Sequence, residues 1–212
     1  MKRTGTTLLI LVLVSFLASS VEAASEPGPP IAIAIHAGAG TISKGDMTAE
    51  EESAIRAALQ NAVRAGYTVL QDGGSSLDAV TTAVTLLEDS PYFNAGRGAV
   101  FNAQGENELD ASVMDGSGLE AGAVAAVHNI RNPVLLARKV MTDSKHVMLI
   151  GEGAETFARE HGIAFESDEY FFTERRWRQL MKARADTANG SIIANPDRWF
   201  STVGAVAVDT RG

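Results

Sequence analysis

The residue with the most chemical promise is Thr202. It heads the stretch "TVGAVAVD" (residues 202–209), a run of small apolar residues that reads as a strand able to lie in a core. A threonine opening a strand is ordinarily just a strand residue, because β-branched side chains suit the pleat. Its setting points further. Residues 187–201 before it are polar and irregular, and read as a mobile linker. Were the bond between Ser201 and Thr202 cut, the threonine would become N-terminal. Its own α-amine, with an ordinary pKa of roughly 7.7–8.0, would then serve as general base for its hydroxyl.

Other candidate groups carry less. In "HAGAG" (residues 36–40), Gly38 and Gly40 follow a strand-like run. A dinucleotide fingerprint needs a third glycine at the position held by Ser43, and a helix opening there; helix signals wait until Thr48. The segment reads instead as a tight backbone turn. Asp110 and Asp115 lie five apart in "LDASVMDG" and fall on opposite faces of a strand, which suits turn duties better than a shared metal. His36, His128, His146 and His161 show no metal-ligand spacing. There are no cysteines, hence no disulfide, thiolate zinc site or cysteine nucleophile.

These residues need elements to position them. Residues 31–36 read as a buried strand. Thr48 and Glu51 form a capping-box signature for a helix running to about Gln71, with Ile55, Leu59, Ala62, Val63 and Val69 on its inner face. Ser75 caps a second helix carrying Leu77, Val80, Val84 and Leu87. Residues 90–98 are loop chemistry, and 99–101, 108–114 and 121–127 read as successive strands. Asn132 is a cap before Pro133 at the first helical position, with helix over 134–141. A strand over 146–150 and helices over 152–161 and 174–185 complete the pattern. There is no internal repeat, and the alternation of strands and helices indicates an α+β or α/β class.

Composition bounds the rest. The 212 residues suffice for one domain with appendages. A net charge of −8 argues against nucleic acid and against an anionic membrane surface as partners. Lys2 and Arg3, the apolar run over residues 8–18, and the small residues ending at Ala23 have the three-part layout of a secretory signal over 1–23. Residues 24–30 follow as an extended leader. The implied localisation is exported, periplasmic or secreted.

Taken together, "IAIAIHAGAG", "GGSSLDAV", "LLEDSPYFNAGRGAVFN", "ELDASVMDG", "AGAVAAV" and "TVGAVAVD", in this order, resemble the plant-type L-asparaginase/isoaspartyl peptidase family of N-terminal nucleophile hydrolases over residues 31–212. The resemblance implies an α+β fold, a four-layer αββα sandwich, in which the precursor cuts itself before the threonine. It implies an α-subunit core over 31–186, a linker over 187–201 ending at the cleavage site, and a β subunit beginning at Thr202. The small-molecule substrate would be asparagine or a β-aspartyl dipeptide, attacked by Thr202 through a β-aspartyl ester. The two chains would stay together, usually as an (αβ)2 dimer.

Site residues follow from the same resemblance. Asn94 matches an asparagine that supports the nucleophile. His36, Gly38 and Gly40 match the loop linked to self-cleavage at Ser201 and Thr202. The main-chain carbonyls of Leu87, Glu88, Ser90, Phe93, Ala95 and Arg97 match a structural Na+ loop, with no cofactor for the chemistry itself. Ser201 stands where many relatives have glycine, which predicts slower cleavage. Only eleven residues run from Thr202 to Gly212, so the resemblance implies a chain truncated early in its β subunit, an incomplete sandwich, and no activity for the 212 residues alone. Two alternatives stand beside this reading: glycosylasparaginase of the same superfamily, and a noncatalytic domain that reuses the fold.

Overall fold

The computed structural model describes residues 29–38, 47–188 and 202–212. The expected signal segment, most of the leader, Gly40, residues 189–200 of the linker and Ser201 lie outside them.

Strand β1 (Ala32–His36) pairs antiparallel with β5 (Gly204–Val208), so the first and last described strands are neighbours. Helix α1 (Ala49–Gln71) begins with the expected reciprocal cap: Glu51 N–H donates to Thr48 Oγ1 at 3.1 Å, and Thr48 N–H donates to Glu51 Oε2 at 3.0 Å. Helix α2 (Ser76–Glu88) is capped by Ser75, whose hydroxyl accepts the Asp78 N–H at 3.0 Å. The two helices pack on each other and on the β1–β5 sheet.

Small residues set their closeness: Gly66 of α1 sits against Ala79 and Ala83 of α2. For that reason the buried line of α1 is Ile55, Ala62, Gly66 and Leu70, while the expected Val63 and Val69 are only half-buried. Helix α2 has two working faces. Ala79, Ala83 and Leu87 are buried, whereas Leu77, Val80 and Val84 line a cavity between the two sheets.

The second sheet has the order β2–β3–β4, from Leu109–Asp115, Glu120–Val127 and Met148–Ile150. β2 and β3 are antiparallel, and β4 runs parallel to β3 after the crossover helix α3 (Pro133–Asp143). Helix α4 (Gly151–Glu160) and α3 pack on this sheet around Val124, Val127, Leu136 and Val140. The register slips between Leu109 and Ala111, and there the Asp110 carboxylate accepts the Ala126 N–H at 2.8 Å. Asp115 accepts the Ser117 N–H in the following turn. Both aspartates thus have the structural duties their spacing suggested. The architecture is α+β, with helices on each sheet.

Three expectations change. Residues 99–101 form no strand. Val100 N–H donates to Asn94 Oδ1 at 2.8 Å, and Asn107 Nδ2 donates to the carbonyls of Ala99 and Val100. Side chains therefore take hydrogen bonds that a neighbouring strand would have taken. Asn132 precedes α3 but does not cap it; its amide donates to Asp89 Oδ1 and the Thr85 carbonyl instead. After the short helix α5 (Asp168–Phe171), helix α6 (Glu174–Ala188) runs past its expected end and includes the first two residues of the expected linker. A Lys182–Asp186 pair and a Thr187 hydroxyl bonded to the Ala183 carbonyl extend its last turn. Among the described residues, no helix is long and apolar enough to cross a membrane.

Candidate active site

Thr202 is exposed, two residues ahead of β5. The next residue, Val203, packs against the cluster of Ile55, Ala62, Leu87 and Phe93, which fixes where Thr202 emerges. In the β1–β5 ladder His36 lies opposite Gly204. The ladder ends at that pair, and the chain leaves strand geometry at Gly38. Gly38 has φ of 126°, a conformation open chiefly to glycine. Strand pairing therefore brings His36 of the expected cleavage loop to within two residues of the threonine along β5.

Thr202 borders the cavity between the sheets, about 1150 Å³ in volume, together with Asn94, Gly96 and Glu88. This is more space than the roughly 300–1,000 Å³ of an ordinary small-ligand pocket. Its walls are the inward residues of β2, β3 and β5 and the second face of α2. Thr202 and Asn94 thus share one cavity, although 108 positions separate them in the chain.

The loop that carries Asn94 is held from three sides. Below it lies the end of α2, where Ser90 N–H donates to the Leu87 carbonyl at 3.2 Å. Within it, a 3-10 turn (Gly96–Gly98) follows Ala95, and Gly98 N–H donates to the Ala95 carbonyl at 3.0 Å. Above it, α6 supplies two guanidinium groups: Arg175 donates to the Tyr92 carbonyl at 2.7 Å and Arg176 to the Gly98 carbonyl at 2.8 Å. Arg176 is buried, and desolvation lowers its pKa to about 10, so it remains charged at neutral pH. Gly96 has φ of 48°, and a Cβ there would stand 2.5 Å from the Glu88 carbonyl oxygen.

The same geometry bears on a cation. Glu88 O faces Gly96 and Phe93 O faces Gly98 at close range, inside a loop whose Ser90 and Phe93 are buried. No group of three or more acidic or histidine side chains suited to a metal occurs among the described residues. A hard cation here would depend on main-chain oxygens. The Ala95 carbonyl accepts the Gly98 N–H and keeps a second lone pair, while the Leu87 carbonyl is shared by the N–H groups of Asp89 and Ser90. The donor chemistry of Leu87, Glu88, Ser90, Phe93, Ala95 and Arg97 fits such an ion.

Beyond β5, Asp209 is buried, accepts the Ser76 N–H at 2.7 Å at the start of α2, and takes Arg211 on both oxygens. Arg211 and the two backbone N–H donors hold its carboxyl far below the ordinary aspartate value. A depressed carboxylate stabilises the fold fully above its unfolded pKa of 3.8, and this contribution fades as pH falls below that through the native value. Asp209→Asn is therefore expected to lower unfolding stability at pH 7 and to show a somewhat smaller gap at pH 3, with the remainder lost only at still lower pH. Urea unfolding at both pH values checks it; an equal gap at both would refute the linkage.

Comparison with known proteins agrees with this geometry. The profile of the asparaginase family matches residues 29–212. The isoaspartyl peptidase of Escherichia coli is 50% identical over 184 residues, covering 85% of this chain and 57% of that protein. The chain belongs to the isoaspartyl peptidase/L-asparaginase family. The zebrafish isoaspartyl peptidase/L-asparaginase is 45% identical, covering 85% of this chain and 56% of that one, and the human protein of the same name is 43% identical, covering 86% and 57%. The chain thus spans a little over half the length of these isoaspartyl peptidase/L-asparaginase relatives.

Within this family member, Thr202 and Asn94 line one cavity, whereas His36 and Gly38 line a separate pocket beside α1. Gly40 and Ser201 lie outside the described residues. Three contributors were missed from the sequence: the Glu88 side chain, the Arg175–Arg176 pair and Asp209. The only available signal for the arginines was their adjacency at the start of α6, within a helix rich in charged residues.

Proposed function

We propose that this family member is a hydrolase of β-aspartyl amides, an isoaspartyl peptidase with L-asparaginase activity, and that Thr202 is its nucleophile. The observation that carries the reading is Thr202, exposed at the head of β5 on the same cavity as Asn94. The names of the relatives support the same substrate class.

In this reading the Thr202 hydroxyl first attacks the Ser201 carbonyl. The acyl group moves from nitrogen to oxygen, which breaks the C–N bond and frees the α-amine, and water then hydrolyses the ester, releasing the Ser201 carboxylate. That amine takes the hydroxyl proton in each later cycle. Thr202 Oγ1 then adds to the β-carbonyl carbon of the substrate. The C–N bond breaks, the departing amine leaves with the proton, and water hydrolyses the β-aspartyl ester. Asn94 supports the nucleophile from across the chamber. A four-layer sandwich, an (αβ)2 assembly and export through residues 1–23 belong to the same proposal. So does a Na+ held by the carbonyls of the 87–97 loop; it would supply rigidity and no chemical step.

The test is the mass of the protein expressed from its complete gene, with turnover of a β-aspartyl dipeptide and of asparagine. Two chains, the second starting at Thr202, together with amide hydrolysis, are the expected result. A single intact chain without turnover would refute the reading and leave a noncatalytic domain. Preferential hydrolysis of a glycosylated asparagine would move the assignment to glycosylasparaginase.

A further inference from the structure

Tyr170, on the short helix α5, touches both ends of the loop that carries Asn94. At the start of the loop, its hydroxyl donates to Asp89 Oδ1 at 3.0 Å. At the end, the Arg97 guanidinium sits over its ring, 5.4 Å from the centroid. The Asp89 end is a junction: Arg131 Nε and Asn132 Nδ2 donate to the same Oδ1, each at 3.2 Å. Arg131 also sits over the tyrosine ring, 5.3 Å from the centroid, and donates to Glu166 at 2.9 Å. Tyr170 itself is well fixed. It is half-buried, packs on the core of the second sheet and meets the buried Phe171 edge-on at 5.1 Å. Tyrosine suits the place because it joins an apolar ring to a polar tip, and here each holds a different end of one loop.

We propose that Tyr170 is a positioning residue of the active site, clamping the Asn94 loop at Asp89 and Arg97. The role rests on the reading of Thr202 as nucleophile with Asn94 supporting it. Asn94 lies between the two clamped residues. Directly after it, the Ala95 carbonyl accepts the Gly98 N–H, and Arg97 is the middle residue of that 3-10 turn. Helix α5 packs on the same turn. Holding Arg97 therefore holds the turn that sets how the chain leaves Asn94. On the far side of the turn, Val100 N–H donates to Asn94 Oδ1 at 2.8 Å and ties the asparagine side chain to it. Arg97 is exposed, and a long exposed side chain loses much rotamer freedom when it is ordered. The ring beneath the guanidinium offsets that loss. Arg175 and Arg176 grip main-chain carbonyls of the loop, at Tyr92 and Gly98, whereas Tyr170 grips side chains at its two ends.

The experiment uses the protein expressed from its complete gene, with a β-aspartyl dipeptide as substrate. Tyr170→Phe keeps the ring under Arg97 and loses the hydroxyl; Tyr170→Leu loses both ties. Tyr170→Leu is expected to lower kcat by about 10²-fold while KM stays within about twofold. Tyr170→Phe is expected to bring kcat back to within about tenfold of the unmodified enzyme. Arg97→Met removes the cation at the loop's end and should lower kcat by about threefold. In a Tyr170→Leu background the same change should add nothing, because the ring it acts through is gone. A second readout is independent of turnover. Exchange protection of the Val100 amide, which is bonded to Asn94 Oδ1, should be lost in Tyr170→Leu and kept in Tyr170→Phe. Unchanged kcat with unchanged Val100 protection in Tyr170→Leu would overturn the clamp, as would a change confined to KM. Additive losses from Tyr170→Leu and Arg97→Met would overturn it too. If Tyr170→Leu fails to fold, Arg97→Met decides alone, and an unchanged kcat there refutes the clamp. Loss of Val100 protection in a protein that hydrolyses no β-aspartyl substrate would mean that the functional reading has failed and the clamp has not.

Discussion

Thr202→Ala is expected to abolish both maturation and turnover while leaving the fold intact. The alanine removes the hydroxyl that would attack the Ser201 carbonyl, so the protein from the complete gene should run as one uncut chain. It also removes the group that would attack substrate. Loss of a nucleophile typically lowers kcat by about 10⁴-fold or more, leaving only what binding and electrostatics provide. Stability should barely change, because Thr202 is exposed and the adjacent packing comes from Val203. A shift within about 0.5 kcal/mol is ordinary for such a site. Thr202→Ser keeps the hydroxyl and should retain cleavage and activity. Intact mass, steady-state kinetics and thermal unfolding on the three proteins check the set. Normal turnover in Thr202→Ala would remove Thr202 from the mechanism.

Gly98→Ala is expected to have the largest structural effect, and to reach the site through the loop. A Cβ at Gly98 would stand 2.1 Å from the Phe93 carbonyl oxygen and 2.9 Å from the Pro91 carbonyl. Both neighbours are backbone, so neither can swing aside as a side-chain tip could. Phe93 is itself 1% exposed, and Arg176 holds the Gly98 carbonyl, so the loop is pinned on both sides of the clash. Overpacking of this kind costs about 3 kcal/mol. For a chain of this size that lowers Tm by roughly 6–12 °C. Relief requires the 91–98 segment to move, and Asn94 moves with it. A displacement near 1 Å at a supporting residue costs about 10²-fold in kcat. Gly116→Ala is the control, since a Cβ there meets nothing within 4 Å. Equal Tm and kcat in the two variants would show that the loop is not held as described.

The sequence was most legible where the cause is local. Thr48 and Glu51 announced α1, Ser75 announced α2, and the apolar runs of 108–114 and 121–127 announced β2 and β3 as successive strands. Caps act over one turn and pleat periodicity over a few residues, so neighbouring residues contain most of the information. The failures were cases in which a distant partner took over a local duty. Residues 99–101 have strand-like composition, yet Asn94 and Asn107 occupy their backbone groups. Asn132 has cap-like type and position, yet Asp89 and Thr85 take its amide and Glu88 takes the helix amide. The arginines of α6 have the composition of a solvated face, yet two carbonyls of the Asn94 loop draw them inward.

By itself, the sequence determined that Thr202 heads a strand after a polar stretch, and that six ordered motifs mark the family. Both follow from residue type and order alone. Only the tertiary structure decided that β5 pairs with β1, which sets His36 opposite Gly204, two residues after the threonine. It also decided that Asn94 lines the same cavity as Thr202, and that the buried Glu88 carboxyl accepts an amide of α3. Those relations depend on contacts between residues far apart in the chain. Packing and desolvation set them, and no local pattern carries them.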